Sequence, residues 1–264
     1  MADSESKFAG CGLAPTLERK SEGAELELGE GCVVEKTPRG FLVRKLDPPM
    51  SVVYVEPTNR CNLRCRTCVR NVWDEPLGDM EMETYRRLVE GLRSVRSLRK
   101  MSFWGYGEPL LHPGIVEMVR MAKGLKIQTQ VITNGLLLTE EVSEGLVDAG
   151  LDSIVISMDG TSPESYADIR RGSDFRLVLD NVRTLREIRG EMPGGIPERG
   201  PDIGIEFVVM RRNVHELANL RKLAEQMGAG FIVVSNLLPH TEDECDEILY
   251  GRWAGNTFDF GHSL

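Results

Sequence analysis

Three cysteines, Cys61, Cys65 and Cys68, stand close together in the spacing C-x3-C-x2-C. Cysteine thiolates hold iron–sulfur clusters, and a [4Fe–4S] cluster takes four of them when it is fully ligated. Three cysteines leave one iron open to a ligand from outside the protein, and an open position distinguishes a reactive metal site from a closed structural one. The spacing therefore favours a reactive cluster. The alternatives are a zinc site completed by a remote His or Cys, and three unliganded buried thiols.

Two further segments follow predicted strands. The predicted second strand, Lys100–Trp104, is directly followed by Gly105-Tyr106-Gly107-Glu108-Pro109. The predicted third strand, Ile127–Thr133, ends at the first residue of Thr133-Asn134-Gly135. Glycine lets a backbone approach a ligand closely, and the carboxylate of Glu108 can accept a hydrogen bond from an ammonium group. Each segment also fits a simple turn, so neither one predicts a ligand by itself.

Polar residues also end the fourth predicted strand. Ser157 and Asp159 can bond ribose hydroxyls, and Arg170 can bind a carboxylate as a two-pronged fork or be a surface arginine of a helix. The order of these features along the chain favours ligand contacts over simple turns and a surface arginine. Four successive strands carry polar or glycine-rich tips, and parallel strands place their carboxyl ends at one rim. We therefore expect these tips to converge on one site with the cysteines.

The elements that must position these residues alternate regularly after Pro49. Apolar runs of strand length are separated by segments with helical periodicity, such as the one that begins at Met82. This alternation predicts an α/β fold with parallel βαβ units, either a partial (β/α)6 barrel or an open doubly wound sheet. The six predicted strands are Val52–Val55, Lys100–Trp104, Ile127–Thr133, Ser153–Met158, Ile203–Met210 and Phe231–Asn236.

The chain divides into three predicted parts. Residues 1–48 are an N-terminal extension, largely disordered over residues 1–30, with a β-hairpin at 31–46 around Thr37-Pro38-Arg39-Gly40. Residues 49–240 form the main domain, and the Gly- and Pro-rich stretch Gly190–Pro201 is predicted to be a loop within it. Residues 241–264 are a C-terminal tail.

Composition narrows the class of protein. The 264 residues carry a formal net charge of −9, which argues against a general nucleic-acid binder, because such proteins carry a basic stripe. A run of about 18 apolar residues, which a membrane span needs, is absent from the sequence. Residues 1–10 lack the apolar run of a secretory signal. We therefore expect a cytoplasmic protein without nucleic-acid or membrane partners, in which a tight cysteine cluster indicates a metal or redox site.

These motifs together resemble the radical S-adenosylmethionine (SAM) superfamily, over about Pro49 to His240. The resemblance implies that Cys61, Cys65 and Cys68 hold a [4Fe–4S] cluster, whose fourth iron binds the amino and carboxylate groups of SAM. In the family's Gly-Gly-Glu-Pro motif Tyr106 replaces the second glycine, and Thr67 stands where an aromatic residue usually packs near adenine. The implied SAM contacts are Gly105, Tyr106, Gly107, Glu108, Pro109, Asn134, Ser157, Asp159, Arg170 and Asn236.

The motifs resemble one branch in particular, which modifies the cofactor of tungsten-containing aldehyde ferredoxin oxidoreductases, and also peptide-modifying members with auxiliary clusters. This resemblance implies an enzyme that cleaves SAM reductively to a 5′-deoxyadenosyl radical for cofactor or peptide maturation. Its implied partners are a ferredoxin or flavodoxin donor and a substrate protein or cofactor precursor. Only Cys245 follows Cys68, so we expect the chain to stop before an auxiliary-cluster domain. A truncated or split, non-catalytic iron–sulfur scaffold and a structural zinc module are the alternatives.

Overall fold

The computed structural model describes residues 26–27, 32–37, 40–45, 50–192, 196–249, 252–254 and 257–259. The chain forms two compact units, Met1–Pro49 and Met50–Leu264. The prediction that residues 1–30 are largely disordered lies outside the described residues, apart from Leu26–Glu27. The boundaries proposed at residues 48 and 240 stay predictions.

The first unit contains a three-stranded antiparallel sheet. Its strands, in spatial order, are β1 (Leu26–Glu27), β2 (Cys32–Thr37) and β3 (Gly40–Lys45). Thr37 pairs with Gly40, so β2 and β3 form the hairpin that the Pro–Gly sequence predicts. Gly40 has a φ of 136°, a backbone conformation that favours glycine, and this explains the residue type at that position.

The second unit is built around one parallel sheet. Its described strands are β4 (Val52–Val55), β5 (Lys100–Phe103), β6 (Gln128–Thr133), β7 (Ser153–Ser157), β8 (Glu191–Met192), β9 (Ile196–Pro197), β10 (Asp202–Val209), β11 (Phe231–Asn236), β12 (Arg252–Ala254) and β13 (Thr257–Asp259). Six of them lie side by side in the order β4–β5–β6–β7–β10–β11, and all neighbours are parallel. Because this order follows the chain throughout, the curled sheet is the predicted partial (β/α)6 barrel. The doubly wound alternative is wrong, since its strand order reverses partway.

Helices fill the connections between the strands. The α-helices are α1 (Met82–Leu92), α2 (Ile115–Lys123), α3 (Glu140–Asp148), α4 (Pro163–Ile169), α5 (Phe175–Arg189), α6 (Leu220–Met227) and α7 (Glu242–Cys245). Local signals set their ends: the Thr139 hydroxyl accepts a hydrogen bond from the Val142 N–H at the start of α3, and Gly228 ends α6 in the left-handed conformation. Within the described ranges, every helix is too short or too polar to cross a membrane.

The core consists of apolar side chains from the sheet and from the helices packed on it. Phe103, Ile154 and Phe207 project from three of the strands and are completely buried. Tyr85 of α1 is equally buried, and its hydroxyl donates to the carbonyl of Met118 at 2.8 Å, so this polar group is satisfied. Burial of a side chain of this size contributes about 1.5–3 kcal/mol. This packing fixes the sheet whose carboxyl ends carry the polar tips.

Asp152 ties three elements together just before β7. Its carboxylate accepts hydrogen bonds from the Lys123 ammonium at 2.7 and 2.8 Å, and from the backbone N–H and hydroxyl of Thr129 at 2.7 and 2.9 Å. Partial burial acts to raise the pKa of Asp152, but the bonds from Lys123 and Thr129 outweigh it and lower the pKa. The contact therefore joins α2, β6 and β7 through a charged carboxylate.

The composition of Gly190–Pro201 predicted a loop, but the stretch also contains a short piece of sheet. Within it β8 and β9 form a short antiparallel ladder, in which Glu191 pairs with Pro197 and Met192 pairs with Ile196. Each strand has two residues, on either side of Pro193-Gly194-Gly195. A pattern this short carries no readable periodicity, which is why the sequence did not reveal it.

Candidate active site

Residues 57–73, which include the three cysteines and are named here the cysteine segment, leave the carboxyl end of β4 and pack against the end of α4. The backbone N–H of Arg66 donates to the carbonyl of Ile169 at 2.7 Å, and that of Arg64 donates to the carbonyl of Arg171 at 3.1 Å. The side chain of Arg66 also forms an ion pair with Asp168 at 2.7 Å. These contacts hold the cysteines near residues that lie about a hundred positions later in the chain.

A cavity of about 480 Å³ lies at the carboxyl ends of the strands, and the three cysteines line it. Of the thirteen residues predicted for the site, only Pro109 is not on the cavity wall; it is buried and begins the short 3₁₀ helix Pro109–Leu111. Parallel strands bring their tips to one rim, which explains this convergence. The other twelve line the cavity: Cys61, Cys65, Cys68, Gly105, Tyr106, Gly107, Glu108, Asn134, Ser157, Asp159, Arg170 and Asn236.

A glutamate that the sequence analysis did not single out holds the second tip to the first. Glu56 Oε1 accepts hydrogen bonds from the N–H groups of Tyr106 at 2.6 Å and Gly107 at 3.2 Å. A β-carbon on Gly107 would overlap the carbonyl oxygen of Thr58, so glycine permits this close approach. The Tyr106 ring is half-exposed and packs edge to face on Trp73, with centroids 5.5 Å apart. The only signal for Glu56 was a carboxylate directly after a strand.

Glu108 is buried and joins the second and third tips. Its carboxylate accepts hydrogen bonds from the Thr133 hydroxyl at 2.6 Å, the Asn134 N–H at 2.8 Å and the Leu110 N–H at 3.0 Å. Burial nevertheless raises the pKa of Glu108, because it disfavours the charged carboxylate more than these donors favour it. A cation bound beside Glu108 would favour the charged carboxylate and lower this pKa again.

Asp159 and Arg170 form a buried ion pair, with Nη2 2.8 Å from Oδ2. The other carboxylate oxygen of Asp159 accepts the N–H of Val208 at 2.8 Å, so both oxygens are engaged. Asp159 has a φ of 51°, a left-handed conformation that aspartate tolerates better than most residues. The Nε of Arg170 is buried and has no hydrogen-bond partner among the described residues. A buried donor of this kind is suited to a ligand carboxylate.

Glu206 of β10 is a second residue that the sequence analysis missed. It lies beside Ser157 in the sheet register, and its Oε2 accepts a hydrogen bond from the Ser157 hydroxyl at 3.3 Å. Glu206 lines the cavity, and burial raises its pKa. The available signal was one charged residue in an otherwise apolar strand. At the end of β11, Asn236 has a buried Oδ1 without a partner in the described part of the chain.

The thiols of Cys61 and Cys65 have a higher pKa than a free cysteine thiol. Burial raises the pKa of Cys65 to about 11, against the lowering effect of Arg170, and burial also raises the pKa of Cys61. Metals bind the thiolate, so cluster binding would release protons here. Among described residues, no group of three His, Cys, Asp or Glu side chains is arranged to hold a metal ion, as a tetrahedral zinc site requires. A [4Fe–4S] cluster fits the donor set better, because each thiolate then binds a different iron.

Proteins with similar sequences match this chain over about half of their own length. The chain is 32% identical over 202 residues to the tungsten-containing aldehyde ferredoxin oxidoreductase cofactor-modifying protein of Pyrococcus furiosus, which covers 76% of this chain and 55% of that protein. It is 32% identical over 190 residues to the PqqA peptide cyclase of Gluconobacter oxydans, which covers 72% of this chain and 49% of the relative. The chain thus spans about half the length of the curated relatives it matches.

Solved structures share the fold of the second unit. Streptococcus suis SuiB bound to precursor peptide SuiA superposes with a TM-score of 0.59 at 17% identity, over 72% of this chain and 40% of that one. Native anSMEcpe with bound AdoMet gives a TM-score of 0.59 at 20% identity, over 72% and 53%. Residues 55–198, more than half of the chain, match the Radical SAM superfamily. Because that match takes in the three cysteines and four of the strand tips that meet at the cavity, the chain belongs to the radical SAM superfamily.

Proposed function

We propose that this chain binds a [4Fe–4S] cluster through Cys61, Cys65 and Cys68, binds SAM beside it, and cleaves SAM reductively in the maturation of a peptide or cofactor. The observation that carries this proposal is the meeting of the three thiols with buried, unsatisfied polar atoms on one cavity. When bound, the cluster supplies one electron to the sulfonium, and carbon–sulfur cleavage gives methionine and a 5′-deoxyadenosyl radical. The protein positions these groups and excludes water.

The polar groups of the cavity fit the parts of SAM. The free Nε of Arg170 is the donor for the carboxylate, and the carboxylate of Glu108 is the acceptor for the ammonium. The unpaired Oδ1 of Asn236 is the acceptor for the adenine amino group. Leaving such buried atoms unsatisfied costs about 1–3 kcal/mol each. SAM would satisfy the Nε of Arg170 and the Oδ1 of Asn236 at once, with its ammonium beside Glu108.

The ribose contact belongs to Ser157 and Glu206 in this proposal, and not to Asp159. The charge of Asp159 is already paired with Arg170 and its other oxygen accepts the Val208 N–H, whereas Glu108 forms no ion pair with a described residue, so the role of Asp159 is to position Arg170. Glu206 faces the cavity with a carboxylate that accepts only the Ser157 hydroxyl among described residues. A carboxylate is a good acceptor for a ribose 2′-hydroxyl, as in dinucleotide-binding sites.

This ribose assignment predicts the effect of Glu206→Gln on SAM affinity. Loss of one charge-assisted hydrogen bond costs about 1.5–3 kcal/mol, which corresponds to at least a tenfold weaker SAM Kd in equilibrium dialysis. A 2′-deoxy analogue of SAM should bind the wild type and the variant alike. Equal losses for SAM and for the analogue would contradict the assignment.

A peptide or cofactor precursor is the proposed substrate. The names of the two relatives, a peptide cyclase and a cofactor-modifying protein, support these two classes, and SuiB was solved with its precursor peptide. A ferredoxin or flavodoxin is the proposed electron donor, because the cleavage consumes one electron from outside the chain.

The catalytic proposal is tested by anaerobic reconstitution with iron and sulfide. We expect about four irons and four sulfides per chain, and release of 5′-deoxyadenosine when dithionite and SAM are added. Cys65→Ala should lose the cluster absorbance, the iron and the product. Cys245→Ser is the matched control, since the Cys245 thiol donates to the carbonyl of Thr241 at 3.5 Å and the residue lies off the cavity wall. A stable cluster without 5′-deoxyadenosine would favour the non-catalytic scaffold, and zinc in place of iron would favour the zinc module.

A further inference from the structure

A second cavity, of about 450 Å³, shares two wall residues with the site cavity. Leu63 and Cys68 line both of them. The rest of the second cavity, named here the outer groove, is formed by other residues of the cysteine segment, such as Arg64 and Trp73, and by residues that directly follow it. Cys68 therefore lies in the wall between the site cavity and the outer groove.

The cysteine segment is positively charged in an acidic chain. From Pro57 to Trp73 it carries four arginines and no Asp or Glu, although the formal net charge of the chain is −9. Two of these arginines are paired: Arg60 with Asp79 at 3.6 Å, and Arg66 with Asp168 at 2.7 Å.

Arg64 and Arg171 form the exposed, unpaired part of this positive surface, and the half-buried Arg70 also lines the outer groove and donates to the Leu63 carbonyl at 3.5 Å. Arg64 is exposed and lines the outer groove, and its N–H binds the carbonyl of Arg171, which is also exposed. Neither side chain makes an ion pair with any described residue. The acids that line the groove are Asp74 and Glu75, which follow the cysteine segment. The groove thus has a basic part beside Cys68 and an acidic part beyond it.

We propose that the outer groove, with Arg64 and Arg171, is the docking surface for an acidic one-electron carrier protein of the ferredoxin or flavodoxin type. This inference rests on the proposed function, which requires an outside electron. In the docked complex one electron leaves the reduced carrier, which is oxidised by one electron, and enters the cluster, which is reduced by one; no bond forms or breaks. Electron transfer slows steeply with distance, so the carrier must dock close to the cluster, and Cys68 lines both the outer groove and the site cavity. Complementary charge speeds such an encounter and orients it.

The test compares two reductants on the reconstituted enzyme. Dithionite is small and needs no docking surface, whereas a reduced bacterial flavodoxin does. The double variant Arg64→Gln/Arg171→Gln should lose about tenfold in kcat/KM for flavodoxin at low salt, and this loss should shrink as salt screens the charges. Its dithionite-driven rate should stay within twofold of wild type. Asp74→Asn/Glu75→Gln should act in the opposite direction and raise kcat/KM for flavodoxin.

A matched control removes the same charge elsewhere. Arg96→Gln/Arg221→Gln changes two exposed arginines that do not line either cavity, and flavodoxin kinetics should not respond. Titration of oxidised flavodoxin into each protein, followed by calorimetry, gives a readout that does not depend on catalysis. Equal losses with both reductants would mean that the arginines serve the cluster or the fold, and an unchanged flavodoxin Kd would overturn the docking surface. Failure of wild type with dithionite would instead refute the proposed function, while the titration still tests docking.

Discussion

Asp159→Asn isolates the charge of the buried ion pair. Asparagine keeps an acceptor for the Val208 N–H and tolerates the left-handed backbone at φ 51°, so the change removes the negative charge and little else. Arg170 cannot lose its proton, and it is left as a buried cation without its closest counter-ion. Its own pKa reflects this dependence: burial acts to lower the pKa of Arg170, and the neighbouring acidic groups, of which Asp159 has the largest effect, together outweigh burial and raise it.

The size of the effect follows from the burial of the pair. Two unit charges about 4 Å apart interact by about 4 kcal/mol at an effective dielectric of about 20. Breaking a buried pair by removing one partner costs about 3–5 kcal/mol, and Asp159 and Arg170 are only 2% and 14% exposed. The negative charge of Glu206 also stabilises Arg170. We therefore expect the lower end of the range, about 3 kcal/mol, in the free energy of unfolding.

The assay is urea unfolding of the cluster-free protein, followed by circular dichroism under reducing conditions. Asp180→Asn is the control, because Arg183 and Asp180 are 2.9 Å apart, almost the separation of the buried pair, but are 63% and 60% exposed. Exposed pairs contribute about 0.2–1 kcal/mol. The double variant Asp159→Asn/Glu206→Gln should lose more than the sum of its single variants, since Arg170 then lacks both counter-ions. Equal losses for Asp159→Asn and Asp180→Asn would refute the reasoning from burial.

Three further variants test the supports of the site. Gly107→Ala should abolish soluble folding or cluster binding, because its β-carbon overlaps the Thr58 carbonyl, whereas Gly91→Ala, with open space around it, should be neutral or gain up to about 1 kcal/mol in urea unfolding. Thr139→Ala removes the cap of α3 and should cost about 1 kcal/mol in the same assay. The lowered pKa of Asp152 means that its stabilisation is present above the unfolded pKa of about 3.9 and is lost as the pH falls through the folded pKa. The stability gap between wild type and Asp152→Asn should therefore be full at pH 7 and narrow below about pH 4; a constant gap would contradict this linkage.

Local pattern was enough to predict the strands and the place of the site. The six predicted strands were found within two residues of their observed ends, because each contains apolar residues over a length typical of strands and ends at polar or glycine-rich residues. The convergence of the tips followed from parallel topology alone, since parallel strands must end at one rim.

The ladder at residues 191–197 and the burial of His112 were not predicted. His112 is 3% exposed, and its ring contacts the Met80 carbonyl at 2.9 Å and the Gly114 N–H at 3.0 Å.

The sequence by itself determined the prediction of a metal site, because the spacing of Cys61, Cys65 and Cys68 is a property of one short segment. Only the tertiary structure decided which carboxylates are free to meet a ligand. Asp159 and Glu206 both lie at the rim, but the contacts that occupy Asp159 come from Arg170 and from Val208, 49 positions away. Glu206 instead keeps a face toward the cavity. A side chain's availability depends on neighbours that are distant in the chain, and such pairings leave no periodic trace in the sequence.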